Sequence, residues 1–266
     1  MIKPKLIHVF TDYGDEATES SVSRALLFAQ IPDLPHIFSQ PTLSRGHLST
    51  AAMFMQMVLP SFGEDTWHLC DITHTKLSPR AAAPYLAAKS GSQWFFAPDN
   101  GFLPLILQDS SADYYSVSSQ ISIQNVMKDI YLPAINTLMN SDNGSIPFTV
   151  KENVIKSLIP KPAFQQNLLR LTVVYNDAQG NAIFNLKRDE FERMRNGRRF
   201  KLSVISSYRL EIDRISASLF DVDQGYAAAY FGLGDFLQIA MNAGSAKQYY
   251  GLSEGTVILL EFMDAS

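Results

Sequence analysis

The sequence holds a single cysteine, Cys70, among 266 residues. One thiol cannot close an internal disulfide, and no Cys/His cluster has the spacing of a zinc site. Basic charge is also in short supply: 22 Lys and Arg against 26 Asp and Glu leave a net charge of −4, and no basic patch stands out. Nucleic acid is therefore not an expected partner. Long apolar runs are missing at the N-terminus. The one that follows Met1-Ile2-Lys3-Pro4-Lys5 meets Thr11 and Asp12 within a few residues, too short for a signal-peptide core or a membrane span. The expectation is a protein of the cytoplasm with no membrane partner. Internal repeats and low-complexity segments are absent as well.

What remains is an ordinary globular composition, 46% hydrophobic and 18% charged, with enough chain for one large domain or two modest ones. Residues 6–10 read as a buried strand, followed by a helix over about 19–30 with Val22, Ala25, Leu26 and Ala29 on one face. A strand at 35–38, an Ala- and Met-rich helix at 48–59 and a strand at 66–70 continue the alternation expected of a mainly parallel sheet. Pro84 argues against a long helix over 81–88, so that segment and 93–97 are read as a hairpin around Lys89-Ser90-Gly91-Ser92. Residues 103–107 and 126–139 look helical, with Pro133 interrupting the second. Beyond Ile159-Pro160-Lys161-Pro162, a stiff linker by composition, come short strands at 169–175, 182–186, 200–206, 227–231, 236–241 and 256–262, with one helix at 187–194. The fold class is α/β: an N-terminal, mainly parallel α/β domain (1–158) followed by a smaller C-terminal β-barrel domain (168–266).

Several polar turns could carry chemistry. Asp12, between a strand and a helix, can accept both hydroxyls of a ribose or can cap its own turn. Asp71 and Arg80 share the polar run after the strand at 66–70; such a pair can orient water or remain a surface ion pair. His74 between them is a candidate general base or a solvated loop residue. Ala97-Pro98-Asp99-Asn100-Gly101 is a turn by residue type, and Asn100 could also touch a ligand. In Asp177-Ala178-Gln179-Gly180-Asn181, Gly180 permits a positive φ and Asn181 could read an adenine edge, although by itself the run is a hairpin turn.

Taken in order, these runs resemble the S-adenosylmethionine hydroxide adenosyltransferase family, which includes the fluorinases and chlorinases. Thr11-Asp12-Tyr13-Gly14 is similar to its Thr-Asp-Phe-Gly start, and Ala97 to Gly101 matches Ala-Pro-Asp-Asn-Gly. Lys128-Asp129-Ile130-Tyr131-Leu132-Pro133 resembles Arg-Asp-Ile-Phe-Ala-Pro, Asp177 to Asn181 with Asn185-Leu186 resembles Asp-x-Phe-Gly-Asn…Asn-Ile, and Leu237-Gln238-Ile239-Ala240 with Asn242 resembles Leu-Glu-Ile-Ala-x-Asn. The resemblance implies a homotrimer that takes an adenosyl ligand in inter-subunit sites, with S-adenosylmethionine as substrate and no cofactor. It implies displacement at the ribose C5′, in the hydrolytic members by water, giving adenosine and methionine. It assigns Asp12 and, beside it, Tyr13 to the ribose region. Asn100 falls in the matched turn, Asp177 and Asn181 near the methionine ammonium and adenine, and Asp71 and Arg80 in the loop that handles water together with a His, for which His74 is the candidate substitute. The alternative it leaves is a nucleoside-binding member without turnover.

The chain departs from the pattern at named places. Val126 stands where the hydrolases carry a His and the halogenases a halide-binding hydroxyl. Gly232-Leu233 replaces an Asn-Ser at the methionine end, Gln179 replaces a Phe, and Ala17 stands where a second Asp is expected.

Overall fold

The structure, a computed structural model, describes residues 3–14, 17–41, 43, 47–72, 84–107, 111–117, 123–141, 145–159, 161–204 and 210–263. The chain divides into two compact units. One comprises Met1–Ala52 and Ser61–Leu158, the other Met53–Pro60 and Ile159–Ser266.

The first unit alternates β1 (Leu6–Thr11), α1 (Thr18–Gln30), β2 (His36–Ser39), the start of α2 (Leu48–Val58), whose residues from Met53 onward belong to the second unit, and β3 (Thr66–Asp71). It continues with β4 (Tyr85–Ser90), β5 (Gln93–Pro98), α3 (Phe102–Ile106), β6 (Asp113–Val117), a π-helical turn at Met127–Tyr131, α4 (Leu132–Met139) and β7 (Thr149–Val150). One seven-stranded mixed sheet results, in the order β2-β1-β3-β5-β4-β6-β7. The first four strands are parallel, and β4, β6 and β7 extend the sheet antiparallel. β1, β3 and β5 are apolar on both faces because both faces are covered, the usual condition of a parallel sheet. Ile7, Val9, Trp67, Leu69 and Trp94 meet α1, the π turn and α4 in one core cluster. On the opposite face Phe10 stacks on Phe102 of α3 with ring centroids 5.9 Å apart.

The hairpin forms as the sequence suggests. β4 and β5 pair from Tyr85↔Pro98 to Ser90↔Gln93, leaving the two-residue loop Gly91-Ser92 with Gly91 at φ +60°. Pro133 does not break its helix, contrary to expectation. The turn ahead of it widens, with the Leu132 N–H reaching back to the Met127 carbonyl, and Pro133 enters α4 in its first turn, where a missing N–H costs least. The apolar face expected for α1 is also corrected. Ser20, Ser23 and Leu27 are the buried residues, whereas Val22 is 39% and Phe28 66% exposed. Small serines at the contact do more than apolar bulk here: the Ser20 hydroxyl donates to the Gly14 carbonyl at 2.7 Å, tying the helix to the end of β1's turn.

The second unit contains β8 (Ala163–Gln165), β9 (Leu168–Asn176), β10 (Ala182–Lys187), α5 (Arg188–Arg195), β11 (Arg199–Val204), β12 (Leu210–Ile212), β13 (Ala227–Phe231), β14 (Phe236–Met241), α6 (Ala246–Tyr250) and β15 (Val257–Met263). Its antiparallel sheet runs β12-β11-β15-β9-β10-β14-β13, with β8 also on β9. The sheet curls into a nearly closed barrel. Leu210 and Ile212 of one end strand share an interior cluster with Ala229 and Phe231 of the other, and the Ser216 N–H, just past β12, donates to the Ala229 carbonyl at 2.8 Å. Phe191 of α5 is fully buried against Phe200, Phe231 and Phe262 and plugs the interior. α6 adds a second helix where the sequence pattern shows one. Its five residues are too few to show a 3.6 period, and Ser245 starts it by accepting from the Gln248 N–H.

Candidate functional site

The chain passes from β1 through α1 to β2 on one flank, then through α2 to β3 on the other, so β1 and β3 straddle the point where the winding reverses. Ligands of open α/β sheets bind outside the carboxyl ends of the strands at such a point. Asp12 follows β1 and Asp71 ends β3, with Thr11 directly opposite Asp71 in register. Asp12 is 3% exposed. β5 ends beside them in Pro98-Asp99-Asn100.

Burial acts on the Asp71 carboxyl. Desolvation pushes it up to about 6, the hydrogen bond from Tyr13 holds it down in part, and the charges of Asp12 and Glu19 add to the rise. The Tyr13 hydroxyl donates to Asp71 Oδ2 at 3.1 Å. Burial and the Asp71 charge drive the Tyr13 phenol far upward, so it remains a donor. Behind the pair the Tyr131 hydroxyl donates to the Cys70 carbonyl at 2.9 Å, anchoring the last turn of β3 to the π turn. Sequence reasoning places Tyr13 among the ligand-contacting residues and gives no pairing with Asp71. The two are 58 positions apart, and only the β1–β3 pairing brings them together.

Asn100 spends its side chain on the turn. Its carbonyl accepts the Phe102 N–H at 3.0 Å and its amide donates to the Ile72 carbonyl at 3.4 Å. Asp99 accepts the Ile155 N–H at 3.0 Å and lies 3.9 Å from the Lys151 ammonium. Gly101 closes the turn at φ +92° against Ser157, which leaves no room for a Cβ. His74 and Arg80 lie outside the described residues. Val126 opens the π turn and packs against the apolar cluster of the first sheet. No group of three or more potential metal ligands occurs among the described residues.

The second unit carries its own concavity, a cavity of about 600 Å³. Phe54 and Met57 form an apolar wall with Ile183 and Leu233, and Asp177, Asn181 and Gln238 supply polar groups. Phe54 meets Tyr175 edge-on at 5.9 Å. Asp177 organises the β9–β10 turn: its Oδ1 accepts the N–H groups of Gln179 and Asn181 at 3.1 and 2.9 Å, and its Oδ2 accepts the Asn181 amide at 2.8 Å. The two residues singled out from the sequence are thus bonded to each other at the cavity. The Asn181 amide carbonyl remains as an acceptor directed by that bond. Gly232 abuts the Gln238 amide so closely that a Cβ would overlap it.

Comparison with known proteins agrees with this architecture. Residues 7–146 match the model of the SAM hydroxide adenosyltransferase N-terminal domain, and residues 171–259 that of the C-terminal domain. Among solved structures, an uncharacterized conserved protein from Thermotoga maritima superposes with a TM-score of 0.80 at 20% identity, covering 96% of this chain and 99% of that one. A conserved hypothetical protein from Thermus thermophilus gives 0.68 at 22% identity, covering 98% and 100%. At such identities the likeness establishes the fold. No functionally curated protein matches the sequence. The match of both domain models across most of the chain places the protein in the S-adenosylmethionine hydroxide adenosyltransferase family.

Proposed function

We propose that the protein binds S-adenosylmethionine and hydrolyses it to adenosine and methionine. The observation that carries this reading is the pair Asp12 and Asp71, side by side at the carboxyl ends of the two strands flanking the winding reversal. Asp12 is a carboxylate of the type that accepts from a ribose diol. Asp71, pushed up to about 6, is ionised at neutral pH yet basic enough to accept a proton. In the reaction, a water oxygen forms a bond to C5′ while the C5′–S bond breaks. Sulfur takes the bonding pair and leaves as the neutral thioether of methionine, and the proton lost by water passes to Asp71. The sulfonium is a good leaving group, so alignment and partial desolvation of the water are the main demands. Arg80 and His74 belong to the same reading as partners of that water. Asp177 and Asn181 would contribute from the barrel of a neighbouring copy in a homotrimer, near the adenine and the methionine ammonium. The adenosyl ligand is the only small-molecule partner required.

Incubation of purified protein with S-adenosylmethionine, followed by chromatography for adenosine, tests the reading. Adenosine formation that Asp71→Asn abolishes supports it. Wild-type turnover no greater than that of Asp71→Asn rejects it. Val126, turned into the apolar cluster where the hydrolases have a His, favours a second reading: binding without turnover. Calorimetry with S-adenosylmethionine, adenosine and methionine separates the two, because binding without product selects the second and no binding removes both.

A further inference from the structure

Tyr13 occupies the position of the phenylalanine in the family's Thr-Asp-Phe-Gly run, so its hydroxyl is what this chain adds there. That hydroxyl donates to Asp71 Oδ2 at 3.1 Å, and Ser23 of α1 offsets part of the rise of its phenol. Ser23 is buried, and the helix that carries it is tied by Ser20 to Gly14. The bond from Tyr13 to Asp71 therefore links the turn after β1 to the end of β3, and the Ser20 bond to Gly14 ties α1 to the same turn. The other ionisable groups that act electrostatically with Asp71 among the described residues are Asp12, Glu19, Cys70, Tyr85 and Tyr131. They are two carboxylates, a thiol and two phenols, and none is a cation. Lys76, Arg80 and His74 lie outside the described residues.

We propose that Tyr13 is a positioning residue for Asp71: its hydroxyl clamps Oδ2, fixes the plane of the carboxyl group and favours its ionised form, leaving Oδ1 to take the proton of the attacking water. The role of Oδ1 rests on the hydrolase reading; the clamp on Oδ2 does not. A desolvated carboxylate beside a second carboxylate is unfavourable, and a hydroxyl donor at hydrogen-bond distance offsets part of that cost. The phenol stays protonated throughout the accessible pH range, so it orients and stabilises without titrating. A phenylalanine would fill the same space and leave Oδ2 without this donor.

Tyr13→Phe is the decisive variant. Carbon-13 NMR titration of the Asp71 carboxyl in ligand-free protein, assigned with Asp71→Asn, should show its midpoint rising by about one pH unit in Tyr13→Phe, the scale of one lost charge-assisted hydrogen bond. The acid limb of kcat/KM against pH for adenosine formation should move upward by the same amount. A residue that merely fills space would shift neither. An Asp71 midpoint unchanged in Tyr13→Phe overturns the proposal. If the wild type forms no adenosine, the hydrolase reading and the role of Oδ1 fail, while the NMR titration still decides whether Tyr13 governs Asp71. A Tyr13→Phe protein that does not fold is replaced in the titration by Ser23→Ala, which removes the serine hydroxyl that acts on the phenol. It should move the Asp71 midpoint in the same direction by a smaller amount, and an unchanged midpoint there overturns the proposal equally.

Discussion

The imidazoles of His8 and His68 meet Nδ1 to Nδ1 at 2.9 Å, edge to face, with no exposure to solvent. They lie opposite each other in register on β1 and β3, a few residues before Asp12 and Asp71. Phe62 stacks on His8 at 4.2 Å and Phe95 on His68 at 4.6 Å. For the bond to exist, one ring must donate from Nδ1 and the other accept there, so both must be neutral or only one charged. Neither Nε2 has a hydrogen-bond partner among the described residues.

Desolvation lowers His8 to about 4, and desolvation with the neighbouring His8 lowers His68 to about 2. In the unfolded chain both return to about 6.5. Between about 6.5 and 4 the unfolded state binds protons that the native state refuses, so stability falls as pH falls, and it continues to fall until the folded values are passed. Asp71 works the other way. Its folded value of about 6 lies above the ordinary 3.8, so acid relieves its burial over that interval. Two histidines outweigh one carboxyl, and thermal melts should lose stability steadily from about pH 7 to about pH 4.5. Replacing both rings, His8→Phe with His68→Phe, adds some volume and leaves no orphaned nitrogen, so it should flatten that slope at some cost in stability at about pH 8. An equally steep slope in the double variant would place the acid sensitivity elsewhere.

Gly180 has φ +80°, and an added Cβ would overlap Ser245 Oγ and stand 2.9 Å from its Cβ. Its carbonyl also accepts the Lys247 N–H at 2.8 Å, which fixes the β9–β10 turn against α6. Gly180→Ala should cost about 2–4 kcal/mol, combining left-handed strain with overpacking. Adding Ser245→Gly removes the overlap at only a few tenths of a kcal/mol in capping. The pair should recover about 1 kcal/mol or more, leaving the φ strain. Denaturant melts of the wild type, the two single variants and the pair measure the coupling, and additivity would show that the Ser245 overlap is not the cause.

Leu233 is 67% exposed and borders the cavity of the second unit, in the position of the family's serine at the methionine end. Leu233→Ser should therefore leave stability within about 0.5 kcal/mol, as exposed substitutions do. Under the adenosyl reading it should tighten S-adenosylmethionine several-fold, on the scale of one hydrogen bond, and leave adenosine affinity as it was. Equal effects on both ligands, measured by calorimetry, would detach this position from the methionine end.

The strands that carry the candidate site were legible because β1, β3 and β5 are covered on both faces and read as mostly apolar runs ending in polar turns. The hairpin was legible from a glycine and a serine between such runs. β6 went unread because its Asp-Tyr-Tyr-Ser-Val sequence is only half buried at one flank of the sheet, and β7, β8 and β12 are too short to show a period. α1 misled because its buried face is largely serine, suited to close approach and hydrogen bonding rather than to hydrophobic contact. The candidate residues were picked out one at a time, Asp12 and Asp71 each because it stands where a strand stops. Their adjacency, and the bond from Tyr13, depend on which strands pair, which local sequence does not encode. The same holds for His8 and His68, two ordinary strand residues until β1 and β3 come into register.

Asn100 tests how far a family motif reports on a ligand and how far on a backbone. Both ends of its amide are used inside the turn, on the Phe102 N–H and the Ile72 carbonyl, and it is 3% exposed. Removing it orphans a buried N–H at the start of α3 and frees the residue that follows Asp71. Asn100→Ala should thus cost about 1–3 kcal/mol in stability. Asn100→Asp retains the acceptor for Phe102 and should cost less at the helix start, while its added negative charge near Asp71 should raise that carboxyl further. If the side chain instead contacts the ligand, Asn100→Ala will weaken adenosine binding by about tenfold or more at a temperature where the variant is fully folded. Melting curves and calorimetry on the same samples distinguish the outcomes. The hydrogen bonds in place predict a large loss in melting temperature with adenosine affinity changed less than about threefold.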